Sequence, residues 1–301
     1  TILNARIRKA YLQNKTKIIS LNEVGDLTYP YMSLDGDIEN IKKITEGNHE
    51  VSNLIKDAKK PLIIFGQSAL KTKSAKYIFE SVKSFLEKNN KISDEWNSLN
   101  IISENAATVG SFDLGLYKTE DGSNEVLKDL ENHKFEIVYL LGVDNLKFEK
   151  RNEFIIYQGS HGDKGAEMAD IILPGATYTE QNGYFTNLEG KLQKAFKASY
   201  PPEEAKEDWL IINELAEAMN HRKLFNDKDE LDSSLLNQIN LYIKKNNSIK
   251  SFDVKNLEFN KEILNIDNED YYYSNVIARA SKTMFECKTS KANFKSTGTE
   301  G

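Results

Sequence analysis

Along the chain, helical spacing of apolar positions alternates with short unbroken apolar runs. Ile2, Ala5, Ile7 and Ala10 or Tyr11 recur at helical spacing, which predicts a short helix over residues 1–13. Lys17 to Leu21 reads as a strand, and after a looser stretch through Asp26, Pro30 and Gly36 a helical pattern runs from Asp37 to about Ala58. Leu62-Ile63-Ile64-Phe65 is an unbroken apolar run ending at Gly66, the pattern of a buried parallel strand turning out of its sheet. A helix at 69–89 follows at once, and the amphipathic pattern of 93–107 predicts another. Phe135 to Gly142 and Glu153 to Tyr157 read as two more buried strands, and Ile171-Ile172-Leu173 as a short one stopped by Pro174-Gly175. Tyr184 to Asn187 reads as an extended segment, and 203–220 as a helix whose opening acids suit its dipole.

Strands alternating with long helices predict βαβ crossovers. The fold class expected is therefore α/β, with a mainly parallel sheet and helices on both faces. The pattern changes near residue 222. An α/β region over 1–222 is expected, followed by a C-terminal extension over 223–301. That extension carries an Asp/Lys-rich stretch at 223–232, an Asn/Lys-rich one at 244–250, Asp270-Tyr271-Tyr272-Tyr273-Ser274 and a polar terminus. It is expected to pack on partner subunits, with its last dozen residues mobile.

Composition narrows the function classes. In 301 residues, 39% are hydrophobic, enough for one large core or two smaller ones. A net charge of −6 gives no positive field for a phosphate backbone, so no nucleic acid is expected as a partner. No run approaches the roughly 20 apolar residues that a membrane-spanning helix needs, so no direct membrane insertion is expected. Cys287 is the single cysteine, which excludes an intrachain disulfide and an all-cysteine iron–sulfur cluster. His49, His133, His161 and His221 are too scattered to suggest a zinc cage. The first residue is Thr1, so the chain is expected to be processed, trimmed or part of a longer polypeptide.

Neither a P-loop nor a GxGxxG is present; the turns Gly66-Gln67-Ser68 and Gly142-Val143-Asp144 offer one glycine each and read as ordinary α/β turns. Asp35-Gly36-Asp37 is too short for a calcium loop. The densest signal is 157–191, with six glycines and His161, Asp163, Glu167, Asp170, Glu180 and Glu189. Gly159, Gly162 and Gly165 allow positive φ in a tight polar loop. His161 and Asp163 are candidates for a hydrogen-bonded pair and His161 for a general base, although no second histidine or cysteine lies near in sequence. Asn182-Gly183 favours a tight turn. If Gly183 holds positive φ there, a β-branched replacement costs about 1 kcal/mol or more.

The strings QGSHGDKGAEMADIILPGATYTEQNGYFTNLEGK and YPPEEAKEDWLIINELAEAM resemble the C-terminal domain of the large iron–sulfur subunit of respiratory complex I, the 75 kDa subunit of mitochondria. Asn4 to Lys9, Asp26 to Tyr29, Ala58 to Pro61, Asp113 to Gly115 and Arg279 to Met284 follow in that family's order, so the resemblance covers nearly the whole chain. The family is a degenerate relative of molybdopterin oxidoreductases. The resemblance implies a molybdopterin-enzyme fold without its cofactor, acting as a scaffold in the peripheral NADH-oxidising arm. On that footing this chain has no catalytic, cofactor-binding or metal residues. The iron–sulfur clusters belong to the cysteine-bearing N-terminal part of the subunit, which is the expected partner together with other peripheral-arm subunits. The expected location is the matrix side of the mitochondrial inner membrane, or the cytoplasmic face of a bacterial membrane. An apolar patch for docking is expected around the N-terminus. Two alternatives remain open: the pterin-binding half of an active molybdopterin-dependent dehydrogenase, using the Gly183 to Gly190 region, and a nucleotide-binding protein using the 142–145 turn.

Overall fold

The computed structural model describes residues 2–93, 95–116, 123–143, 146, 148–187, 189–219, 222–245, 252–264 and 270–293. The chain forms two compact units, one from 1–105 with 248–268, the other from 106–247 with 269–301. Among the described residues three of the four sheets are parallel, so the protein is α/β. No helix among them is long and apolar enough to cross a membrane.

The first unit opens with α1 (Ile2–Asn14), a helix with no buried residue, on which Ile2 and Leu12 are exposed. β1 (Ile19–Ser20) pairs in parallel with β2 (Met32–Ser33). The pattern from Asp37 to Ala58 folds as two helices, α2 (Glu39–Glu46) and α3 (Glu50–Asp57). Gly47 closes α2 at φ +83, where its N–H donates to Ile44 O, and His49 Nδ1 caps α3 by accepting from Val51 N–H at 3.2 Å.

β3 (Ile63–Gly66) leads into α4 (Gln67–Leu70) and α5 (Ala75–Lys88), so the helix expected over 69–89 is also divided. The helix expected over 93–107 does not form. Leu99–Ile102 is instead β4, parallel to β3 with Ile63 beside Leu99 and Gly66 beside Ile102. Its isoleucines suit a pleated surface, and pairing with an existing strand overrides a weak helical period. α5 turns Tyr77, Ile78, Val82 and Leu86 inward against Ile38 and Phe65, and Leu264 completes that cluster. The 252–264 segment, beyond the change of pattern at 222, is thus part of this core. It is pinned by Ser74 and by Leu264 N–H, which donates to Gly36 O at 2.8 Å.

The second unit contains α6 (Thr108–Asp113), α7 (Ser123–Glu131), β5 (Ile137–Leu141), β6 (Phe154–Gly159), α8 (Lys164–Met168) and β7 (Ile171–Pro174). β5, β6 and β7 form one parallel sheet in that order. On one face Leu140, Ile155 and Tyr157 are buried under Leu146, Phe148, Ala166 and Met168. β8 (Gly183–Thr186) and β9 (Leu192–Ala195) form an antiparallel hairpin, followed by α9 (Asp208–Ala218). α10 (Lys228–Lys245), α11 (Val276–Ala280) and α12 (Lys282–Asn293) come from the polar C-terminal stretch, where no helix is predicted from the sequence.

Candidate functional site

Chemistry in an open parallel sheet gathers at the carboxyl ends of its strands, where loops turn and helix N-termini arrive. Segment 157–191 supplies most of that end in the β5–β6–β7 sheet. Gln158, near the end of β6, is fully buried. Its Oε1 accepts from Tyr139 Oη on β5, and its Nε2 donates to Asp208 Oδ1 at 2.8 Å. Asp208 opens α9, and its Oδ2 accepts from Gln181 Nε2 at 2.8 Å while its own N–H donates to Gln181 Oε1 at 3.2 Å. Burial first, and then the negative Asp208, push the Tyr139 phenol above its ordinary pKa, so it remains a donor. The network ties β5, β6 and the loop after β7 to the start of α9, and it uses its polar groups on one another.

The predicted His161–Asp163 pair does not form. His161 Nδ1 lies 3.0 Å from Ser160 Oγ, and Asp163 turns elsewhere: it caps α8 by accepting from Lys164 N–H at 2.8 Å and accepts from Arg279 Nε at 2.6 Å. Partial burial works to raise the Asp163 carboxyl, but the Arg279 hydrogen bond and the Lys164 amide outweigh it and leave the pKa lowered. Among the described residues no carboxylate is hydrogen-bonded to the His161 ring, so nothing there fixes its tautomer as an orienting acid would. Asp170 accepts from Ile155 N–H at 2.8 Å and pairs with Lys150 at 2.6 Å, which holds its carboxyl low. Glu180 accepts from Thr177 N–H, and the N–H of Glu189 donates to Asn187 Oδ1. Asp163 and Glu180 thus fasten turns of this segment, and Asp163 and Asp170 also tie it to Arg279, Lys150 and Ile155 outside it.

The glycines do not use the conformational freedom they allow. Gly159, Gly162, Gly165 and Gly183 are not at positive φ. Gly165 is required by close approach instead: a Cβ there would lie 2.6 Å from Val143 O and 2.8 Å from the Tyr157 ring. Gly183 begins β8 beside Ala195, with open space around the position of a Cβ. The Gly183 to Gly190 region is the first strand and turn of a hairpin whose polar groups bond within the chain. Thr186 Oγ1 donates to Asp113 Oδ2 at 2.7 Å, and Lys194 pairs with Asp232 of α10 at 2.7 Å. In the 142–145 turn, Gly142 N–H donates to Gln158 O at 2.8 Å and Val143 is exposed; Asp144 and Asn145, like His221, lie outside the described residues. Asp35 and Gly36 form a left-handed turn, and Asp37 Oδ1 accepts from Glu39 N–H to start α2.

One arrangement escapes sequence reading. Glu153, almost wholly buried just before β6, accepts from Arg151 N–H at 2.7 Å and lies 2.6 Å from His133 Nδ1. The amides of Arg151 and of Glu153 itself, and then His133, outweigh burial and lower its pKa to about 2. Beside it is a cavity of about 620 Å³ lined by Glu131, His133, Phe148, Lys164, Glu167 and Met168. The two residues are 20 apart, and the only signal is that each precedes a strand, which becomes a juxtaposition once β5 and β6 pair. The pair sits at the amino ends of these strands, opposite the end where such sheets bind ligands, and acts as a clamp. Among the described residues no three or more His, Cys, Asp or Glu side chains are grouped to hold a metal ion, and Cys287 is exposed on α12.

The family profile of molybdopterin oxidoreductases matches residues 1–218. The chain is 35% identical over 297 residues to the NADH-ubiquinone oxidoreductase 75 kDa subunit of Reclinomonas americana, covering 96% of this chain and 42% of that protein. It is 35% identical over 302 residues to a subunit of the NADH-quinone oxidoreductase of Rickettsia bellii, covering 99% and 43%. It is 33% identical over 303 residues to the mitochondrial NADH-ubiquinone oxidoreductase 78 kDa subunit of Candida albicans, covering 95% and 40%. The chain thus spans about two fifths of the length of these relatives. At the carboxyl end of the sheet Gln158, Gln181 and Asp208 are committed to one another, while Thr177 Oγ1 in the loop after β7 is buried without a hydrogen-bond partner. Matched over most of its length by the family profile, and along nearly all of it by subunits of NADH-ubiquinone and NADH-quinone oxidoreductases, the chain belongs to the molybdopterin oxidoreductase family.

Proposed function

We propose that this chain is a non-catalytic, structural part of the large iron–sulfur subunit in the peripheral NADH-oxidising arm of respiratory complex I. It supports the cluster-carrying N-terminal part of that subunit while electrons pass from NADH to ubiquinone through clusters held outside this chain. The observation that carries this reading is the network Tyr139–Gln158–Asp208–Gln181, whose polar groups bond one another at the carboxyl end of the sheet. Similarity to complex I subunits over at least 95% of the chain supports the assignment to that assembly.

In this reading the chain binds no cofactor of its own. Its partners are the N-terminal iron–sulfur part and other peripheral-arm subunits, and the C-terminal stretch from 223 offers them surface such as the exposed Phe285. Its place is the matrix side of the mitochondrial inner membrane, as the mitochondrial relative suggests. An affinity tag on this chain tests the reading: the tagged chain should co-purify with NADH-oxidising activity and bound iron–sulfur clusters. Recovery of the chain alone, or with a different oxidoreductase, would overturn it.

A further inference from the structure

The two faces of the β5–β6–β7 sheet are unequal. On one, Leu140, Ile155 and Tyr157 are 4%, 0% and 2% exposed. On the other, Ile137, Leu141, Phe154 and Ile171 are 65%, 46%, 44% and 44% exposed, with Gln158 buried toward the carboxyl end; Ile172, on the first face at the edge strand β7, is 54% exposed. The register makes the second set one surface: Ile137 lies beside Phe154, and Ile156 joins Tyr139 to Ile171. α9 touches its carboxyl end, through Asp208 on Gln158. Parallel sheets are covered on both faces, because their strands are apolar on both and their crossovers put helices there.

We propose that the open part of this face is the seat of an apolar helical surface from the rest of the large subunit, whether joined to this chain or carried separately. The inference rests on the complex I reading above. Relatives similar over nearly all of this chain have more than half their length outside the match, and a counterpart of that length, on this chain or another, is ample to supply the cover. A helix about 10 Å across lies over two strands spaced about 4.8 Å apart, and so fits a surface of Ile137, Phe154 and Ile171 on three strands.

The test uses Ile137→Cys in a Cys287→Ser background and compares maleimide labelling of the free chain with that of the chain in the purified complex. Burial at an interface core should slow labelling by about tenfold or more in the complex and leave the free chain reactive. Equal reactivity in both states would overturn the proposal while leaving the complex I reading intact. Concentration-dependent protection of the free chain would also overturn it, by showing a second copy on the face. Ile171→Cys, read in the same way, replaces Ile137→Cys if that variant fails to assemble. If the wild-type chain does not join the complex, the underlying reading fails and this proposal with it.

Discussion

Arg279 Nε donates to Asp163 Oδ2 at 2.6 Å and thereby joins two residues 116 positions apart. Asp163 caps α8 after β6, and Arg279 lies on α11, so this contact fastens the C-terminal helices to the loop beside the sheet. Both side chains are less than a quarter exposed. Arg279→Ala should therefore cost about 1–3 kcal/mol, since it leaves a partly buried carboxylate short of its charged donor. Arg279→Lys should restore only part, because an ammonium lacks the planar donor geometry. Chemical denaturation checks the magnitude, and limited proteolysis should show residues 270–293 cut earlier; unchanged stability would count against the contact.

Gly165→Ala and Gly183→Val should behave in opposite ways. The first brings a methyl group within 2.6 Å of a backbone carbonyl and should destabilise by about 1–3 kcal/mol. The second places a strand-favouring residue at the start of β8, 4.0 Å from the nearest atom, and should be near neutral. Thermal melts of the two variants decide this, and equal losses would show that the distinction is wrong.

Glu153 should make the fold sensitive to acid. Its folded pKa of about 2 is below the ordinary value of 4.5, so its contribution is complete above 4.5 and is lost as pH falls from there toward 2. Asp163 and Asp170 are lowered too and act in the same direction. Glu153→Gln should lower the melting temperature near neutral pH and flatten its fall on acidification. A slope identical to wild type would remove Glu153 from the account.

Ser74 is fully buried; its Oγ donates to Asn260 O at 3.0 Å and accepts Asn260 N–H at 2.8 Å. Ser74→Ala should cost about 1–2 kcal/mol. It should also raise amide hydrogen exchange at Asn260 well above wild type. Retained protection there would show that packing of Leu264 alone holds the segment.

The elements legible in the sequence are those whose apolar runs are long and uninterrupted, such as Ile63–Gly66, Ile137–Leu141 and Phe154–Gly159. Leu99–Ile102 is not among them, because Asn100 interrupts its apolar run and leaves strand and helix unseparated until β3 lies beside it. The candidate site divides in the same way. The composition of 157–191 marks it as the place where polar groups gather, yet the partners of those groups come from Tyr139, Asp208 and Arg279, which no local spacing indicates. Local sequence suggests that the glycines there serve conformational freedom, whereas Gly165 is set by the nearness of Val143 O, a tertiary fact. The pairing of His133 with Glu153 likewise depends on strand order.

The central claim, that this member of a molybdopterin-enzyme family serves as structure and carries no cofactor, is tested most directly by metal and pterin analysis of the complex purified through this chain. The account predicts iron and labile sulfide from the cluster-carrying part, with no stoichiometric molybdenum, tungsten or pterin. One molybdenum or tungsten with bound pterin per chain would contradict it.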